Sequence, residues 1–189
     1  MGRLRYSMSV SLDGFVNRPD GSLDWVDVDE ELHSWFNDEA REEGVFLYGR
    51  RMYELMAGYW PTAHADPAAT PAMLDFAAVW RDMPKVVFSS TLDEVGFNSR
   101  LVREGAADEV ARIKAEADRP LSVAGPTLAA TLIERGLVDE YRVYVHPVIL
   151  GAGTPFFPPV AGPIPLRPVD RREFANGVVM LGYEADGPS

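Results

Sequence analysis

Apolar positions along the chain fall into short strand-like runs separated by stretches of helical spacing. Leu4 to Val10 predicts a first strand, and Ser11-Leu12-Asp13-Gly14 leads from it into a loop holding the turn signal Pro19-Asp20-Gly21. Leu32, Trp35, Phe36 and Ala40 recur at helical spacing, which predicts an amphipathic helix from about Asp29 to Glu43, stopped by Gly44. Val45-Phe46-Leu47-Tyr48 is apolar throughout, as expected of a buried parallel strand. Gly49-Arg50-Arg51-Met52-Tyr53-Glu54 opens the next helix. Pro61 to Pro71 reads as an exposed loop, and Ala72 to Trp80 as the helix after it. Lys85 to Phe88 is the third strand and ends at Ser89-Ser90-Thr91. A helix from Ala107 to Ala117 leads to the fourth strand, Leu121 to Ala124. Gly125-Pro126-Thr127 then starts a helix through Arg135, with Gly136 at its stop. Glu140 to Pro147 alternates, with Tyr141, Val143 and Val145 on one face and Arg142, Tyr144 and His146 on the other.

The chain changes character after Gly151. A Gly/Pro/Phe-rich loop runs to Pro165, and two extended runs follow, Leu166 to Phe174 and Val178 to Glu184. Asn176-Gly177 between them is a strong hairpin signal. Strands alternating with helices and closing on a hairpin predict an α/β fold. Its sheet is mostly parallel with antiparallel edge strands, and one domain spans residues 1–189. No internal repeat or long linker interrupts it.

Composition narrows the function. The 189 residues carry 18 basic and 29 acidic side chains, a formal charge of −11, which argues against a general nucleic-acid binder or an anionic membrane surface. The absence of cysteine excludes a disulfide scaffold, a thiolate metal site and a cysteine nucleophile. No apolar run approaches the roughly 18 residues that span a bilayer. The amino terminus enters a strand with no secretory h-region, so a cytoplasmic location is expected. The three histidines, His33, His64 and His146, lack metal-ligand spacing and read as surface or satisfied residues. No G-x-S-x-G elbow or G-K-[ST] phosphate loop occurs.

Ligands of open α/β sheets bind beyond the carboxyl ends of the strands. This chain places Ser11, Gly49, Ser89-Ser90 and Gly125 there. Gly49 and Gly125 lie directly before helix starts, where a small residue lets a phosphate approach unpaired N–H groups. Arg50 and Arg51 add cations at one of these starts; solvated arginines and packing glycines would look the same. Gly151-Ala152-Gly153 runs into Phe156-Phe157-Pro158-Pro159 and so fails as a dinucleotide fingerprint. The acids between Asp24 and Glu43 read as a solvated face, with Asp29 and Glu31 placed to complement the helix dipole. Trp25, in a turn-rich loop, is a better pocket candidate than Trp35, whose helical spacing suits the core.

The ordered set of motifs resembles a known family. Ala124-Gly125-Pro126-Thr127-Leu128-Ala129, continuing through Gly136-Leu137-Val138-Asp139-Glu140 to Val148-Ile149-Leu150-Gly151, is similar to the reductase domain of the bifunctional riboflavin-biosynthesis deaminase/reductase. Ser11-Leu12-Asp13-Gly14 resembles that family's first-strand motif. Gly49 to Glu54 and Phe88-Ser89-Ser90 look like dihydrofolate reductase, whose fold that domain shares. The resemblance implies a dihydrofolate-reductase-like sheet of about eight strands, NADPH as cofactor and a homodimer.

By position it also implies site residues. Gly125, Pro126, Thr127 and Leu128 would meet the cofactor pyrophosphate. Gly49 would sit beside them, with Arg50, Arg51, Ser89 and Ser90 near the adenosine 2′-phosphate. Val10 and Ser11 would flank the nicotinamide, and Trp25 falls where the riboflavin reductase has a cofactor-contacting tryptophan. Asp13, Glu31 and Phe36 are the substrate-side candidates, and Asp13 reads equally as a turn residue. Two departures stand out. Val123 occupies the position of the riboflavin family's substrate-binding acid, and Leu32 that of the pterin-binding acid. The expected activity is therefore an NADPH-dependent reduction of a small heterocyclic, carbonyl or imine substrate, closest to the riboflavin-pathway uracil reductase. Dihydrofolate reduction, or a non-catalytic NADPH- or ligand-binding homo-oligomer using the hairpin edge, stand as alternatives.

Overall fold

The computed structural model describes residues 2–186. The first strand, β1 (Leu4–Ser11), is followed by a short β2 (Phe15–Asn17), helix α1 (Glu30–Glu42), β3 (Val45–Gly49) and α2 (Arg50–Tyr59). After a 3-10 helix (Trp60–Ala65) come α3 (Pro71–Asp82), β4 (Lys85–Phe88), β5 (Ser99–Val102) and α4 (Ala106–Glu116). The chain ends with β6 (Leu121–Ala124), α5 (Pro126–Glu134), β7 (Glu140–His146), β8 (Thr154–Pro155), β9 (Leu166–Glu173) and β10 (Val179–Ala185). Eight strands form one sheet in the order β5-β4-β3-β6-β1-β7-β10-β9, and β2 pairs with β8 apart from it. The sheet is parallel from β5 to β7, and β10 and β9 add antiparallel to its edge. The α/β class and the terminal hairpin are those expected from the pattern, and the eight strands are those the resemblance implied.

Strand alternation sends the two faces to different partners. Leu4, Tyr6 and Val10 of β1 join Leu47, Leu121 and Val123 in a core closed by Leu128, Ala129, Leu132 and Ile133 of α5. Several of these side chains are fully buried, each worth about 1.5–3 kcal/mol. The other face carries two clusters. Phe46, Tyr48 and Val87 pack with Tyr53 of α2 and Trp80 of α3. Tyr144, Phe174 and Met180 pack with Leu32, Trp35 and Phe36 of α1. The Asp29 side chain caps α1 by accepting the Leu32 N–H at 2.9 Å.

Three features depart from the expectation. Part of Pro61 to Pro71 is helical: Pro61 sits in the first turn of the 3-10 helix, where its missing N–H costs nothing, and Trp60 packs on Phe76 at 4.6 Å. The strand β5 has no apolar pattern and exists through its register on β4, Lys85↔Ser99 to Phe88↔Val102. The acids of α1 are more than a solvated face. Glu30 accepts the Ala72 N–H at 3.0 Å, and Glu43 is buried.

Glu43 belongs to a charge network between α1 and the sheet. Arg5 meets Glu43 at 2.7 Å and Glu140 at 3.1 Å. Arg142 meets Glu140 at 2.7 Å and also Glu39. Two arginines thus face three carboxylates. Burial pushes the Glu43 carboxyl up to about 7; Arg5 opposes the rise, and Glu140 and Glu42 add to it.

Candidate functional site

The register Tyr48↔Ala124 makes β3 and β6 neighbours, so Gly49 and Gly125 lie side by side at the carboxyl edge and α2 and α5 start next to each other. The two starts interlock: a Cβ on Gly125 would lie 3.4 Å from Met52 Cβ, and one on Gly49 would lie 3.8 Å from Leu128 Cβ. Gly125 holds φ 102°, a conformation that glycine adopts and side-chain-bearing residues resist. Neither start has a side-chain cap or an acid in its first turn, whereas Asp29 caps α1, Thr70 caps α3 and Asp108 and Glu109 open α4. Two adjacent helix ends therefore keep N–H groups and partial positive charge free for an anion.

Cations and hydroxyls surround this pair. Arg50 is exposed and reaches Glu54 at 3.1 Å, one turn along α2. Arg51 is exposed and has no ion-pair partner among the described residues. β4 adjoins β3 with Gly49↔Phe88, which brings Ser89 and Ser90 beside the α2 start. Ser89 Oγ accepts the Thr91 and Leu92 N–H groups at 3.2 and 3.1 Å, while Ser90 is exposed. Pro126 takes the first helical position, Thr127 is exposed and Leu128 is buried under Gly49. The residues predicted for the phosphates thus come together in one place.

The nicotinamide-side and substrate-side candidates lie at and just beyond the end of β1 and on α1, and are more dispersed. Val10 is buried on the α5 face. Ser11 is buried, accepts the Phe15 N–H at 3.0 Å and bonds the Asp13 carboxylate. Asp13 in turn accepts the Leu150 and Gly151 N–H groups at 3.1 and 2.7 Å, so it ties the loop after β1 to the loop after β7. Those bonds, with that from Ser11 the strongest, hold its carboxyl below the usual range. Glu31 accepts the Ala175 N–H at 3.1 Å and meets Arg172 at 3.2 Å, which fastens α1 to the hairpin tip. The Ala175 N–H is the main cause of its lowered carboxyl. Phe36 stands edge-on to Tyr144 at 4.7 Å.

Trp25 meets a residue that the sequence pattern left unassigned. Its ring lies 5.5 Å from His146, edge to face. His146 is 1% exposed and follows Ser11 in register at the end of β7. Its Nδ1 and Nε2 and the Trp25 Nε1 are buried without a hydrogen-bond partner. Burial pushes the imidazole down, and Asp27 opposes the change. His146 is therefore neither a surface nor a satisfied histidine. The period-two pattern had placed it beside Tyr144 on a covered face, and that was the available signal. Ser7 and Ser9 were also missed. The Ser-x-Ser-x-Ser alternation of β1 sets small hydroxyls where a helix-covered strand face is normally apolar.

A depression of about 340 Å3 between α4 and α5, lined by Gly105, Asp108, Thr131 and Arg135, contains none of these residues. No group of His, Asp and Glu able to hold a metal ion, and no helix long and apolar enough to cross a membrane, occurs among the described residues.

Comparison with known proteins agrees with the fold. The Bacillus subtilis (strain 168) protein YyaP, itself uncharacterized, is 32% identical over 186 residues, covering 98% of this chain and 96% of YyaP. A structure from Shewanella sp. PV-4, ascribed to riboflavin biosynthesis, superposes with a TM-score of 0.77 at 19% identity over 97% of this chain and 99% of the other. Dihydrofolate reductase from Enterococcus faecalis, complexed with NADP(H), gives 0.66 at 13% identity over 98% and 97%, a likeness of fold. The RibD C-terminal domain family matches residues 3–180, from the start of β1 into β10, and the chain belongs to that family.

Proposed function

We propose that the chain is an NADPH-dependent reductase of a small heterocyclic, carbonyl or imine compound. The nearest named reaction is that of 5-amino-6-(5-phosphoribosylamino)uracil reductase. The observation that supports this most directly is the pair of uncapped helix starts at Gly49 and Gly125, with Arg50 and Arg51 beside them. Free N–H groups and fixed cations in a protein of charge −11 suit a dinucleotide phosphate.

Bound there, NADPH supplies a hydride from its nicotinamide C4. The chain's own residues bind and orient. The N–H groups after Gly125 take the pyrophosphate. Arg51, Arg50 and Ser90 take the 2′-phosphate. Val10 and Trp25 flank the nicotinamide position, and Phe36 walls the substrate side and keeps water out. Asp13, held ionised first by the Ser11 hydroxyl, and Glu31, held so first by the Ala175 N–H, are poor proton donors near neutral pH, so the proton comes from water. The partner in this reading is a second copy of the chain, and a sedimentation mass of twice 20.9 kDa is the expected result.

Titration with NADPH and with NADH tests the cofactor assignment. Replacing Arg50 and Arg51 together by Ala is expected to weaken NADPH binding by about 1–3 kcal/mol, the size of a lost charged hydrogen bond, and to leave NADH nearly unchanged. Arg51→Ala alone should carry most of the loss, because Arg50 is held by Glu54. Wild-type protein that binds neither nucleotide would end the reductase reading. Equal losses for both nucleotides would free the arginines from the 2′-phosphate.

A further inference from the structure

We propose that His146 is a positioning residue that works as a proton-operated latch on the segment carrying Trp25. As a neutral imidazole it holds Trp25 down at the ends of β1 and β7, and as an imidazolium it releases the segment to water. The latch is a property of the free protein. Its consequence for the cofactor rests on the reductase reading, in which Trp25 flanks the nicotinamide.

The segment between β2 and α1 has little else to hold it. Among the described residues, every hydrogen bond of residues 18–26 stays inside the segment. Arg18 donates to Ser22 O at 3.1 Å, Gly21 to Arg18 O at 2.9 Å and Val26 to Leu23 O at 3.0 Å, and Arg18 pairs with Asp24 at 2.7 Å. The next tie to the rest of the molecule is the Asp27 carbonyl, which accepts from the Asn176 side chain at 3.1 Å. A segment bonded mainly to itself opens at small cost. Trp25 reaches from it to the sheet, with its ring 5.5 Å from that of His146 and its Nε1 buried.

His146 sits where a charge is poorly received. It is 1% exposed, and neither ring nitrogen has a partner. Its register partner on β1 is Ser11, a neutral residue whose hydroxyl is bonded to Asp13. Val178, one place beyond the Val179↔Val145 pair, is apolar and buried. The acids at the start of α1, Asp29, Glu30 and Glu31, are each bonded to a backbone N–H. Asp27, exposed on the Trp25 segment, is the charged group that acts on the ring. A neutral imidazole fits this site as an aromatic contact. An imidazolium would bring two N–H donors with nothing to accept them. The Trp25 π system and Asp27 offset only part of that cost. Opening the segment hydrates the ring and removes it. Burial accordingly pushes the imidazole below its ordinary 6.5, against the pull of Asp27. The advantage of the closed segment is therefore complete above pH 6.5 and is lost as the pH falls through 6.5 toward the lower value of the closed form.

Exchange of the Trp25 indole N–H, read by NMR at pH 7.5 and 5.5 and corrected for its intrinsic rate, reports the latch. In the wild type its protection should fall about fivefold, inside the limit of about tenfold that one pH unit below 6.5 allows. The buried Trp80 indole should stay level. His146→Phe keeps a ring against Trp25 and takes up no proton, so its Trp25 protection should stay level too. Asp27→Asn, at an exposed position, removes the charge that favours the closed imidazolium and should deepen the fall toward tenfold. At pH 5.5, saturating NADP+ should restore Trp25 protection several-fold, and 2′,5′-ADP, which lacks the nicotinamide, should not. Level protection in the wild type, a fall that survives in His146→Phe, a shallower fall in Asp27→Asn or a fall shared by Trp80 would overturn the latch. Equal protection from both nucleotides would overturn its link to the nicotinamide. A wild type that binds neither nucleotide at pH 7.5 would remove the reductase reading, and the exchange results would still decide the latch.

Discussion

Arg5→Met is expected to cost about 3–5 kcal/mol of stability at pH 8, the usual result of removing one side of a buried ion pair. Methionine fills most of the arginine stem's volume, so the loss reports charge rather than a cavity. Without Arg5, only Arg142 remains to face Glu39, Glu43 and Glu140. The cost should depend on pH, and its sign follows from Glu43. In the folded wild type its carboxyl titrates at about 7, against 4.5 for the ordinary group. The fold therefore prefers the protonated form. That contribution, ~3 kcal/mol at 1.36 kcal/mol per pH unit, is complete below pH 4.5 and lost as the pH rises through about 7. Arg5 is the group that holds the carboxyl down, so its removal raises Glu43 further. Acidification from pH 8 to 5.5 should then restore the variant more than the wild type. Urea unfolding of both proteins at the two pH values measures the gap. Adding Glu43→Gln should recover part of the loss at pH 8. A gap that is the same at both pH values would mean that Glu43 does not carry the network's proton.

This network also shows where sequence reading reached its limit. The apolar periodicity gave α1, α3 and α5 nearly to their ends, because a helix against a sheet must present a stripe. Glycine before a helix marked the edge proposed to bind phosphate for an equally local reason. The acids of α1 carried no such mark. Glu43 faces Arg5 only because α1 crosses β1 near that strand's start, and that contact spans 38 residues of sequence. Asp13 and Glu31 stand near the first strand and first helix, which is what makes them substrate-side candidates in the sequence. Their N–H donors come from loops 137 and 144 residues away. β5 and the β2–β8 pair are likewise products of tertiary pairing, with strands too short for a pattern of their own. His146 lay on a face that alternation identified, but its lack of a partner is a property of everything packed around it.

Gly125→Ala is expected to damage both stability and cofactor binding. At φ 102° and ψ 122° this residue holds a backbone conformation that costs an alanine ~1–3 kcal/mol. The added Cβ would come into contact with Met52 Cβ at 3.4 Å, on the α2 side of the paired helix starts. Relieving that backbone strain turns the peptide ahead of α5, and with it the N–H groups proposed to meet the pyrophosphate. NADPH affinity should fall about 10–100-fold, the equivalent of ~1.4–2.8 kcal/mol. NADH should fall by the same factor, since both nucleotides carry the pyrophosphate. That equality separates this site from Arg50 and Arg51, whose loss is expected to discriminate between the two. Gly58→Ala supplies the control within α2. A Cβ there meets nothing within 4 Å, and relief of a helical glycine should stabilise the protein by ~0.5–1 kcal/mol with nucleotide binding unchanged. Opposite signs for one chemical change at two glycines would show that Gly125 is held in place by the phosphate edge and not merely by chain flexibility. Two stabilising results would mean that the edge can relax, and the pyrophosphate would then have to be placed elsewhere.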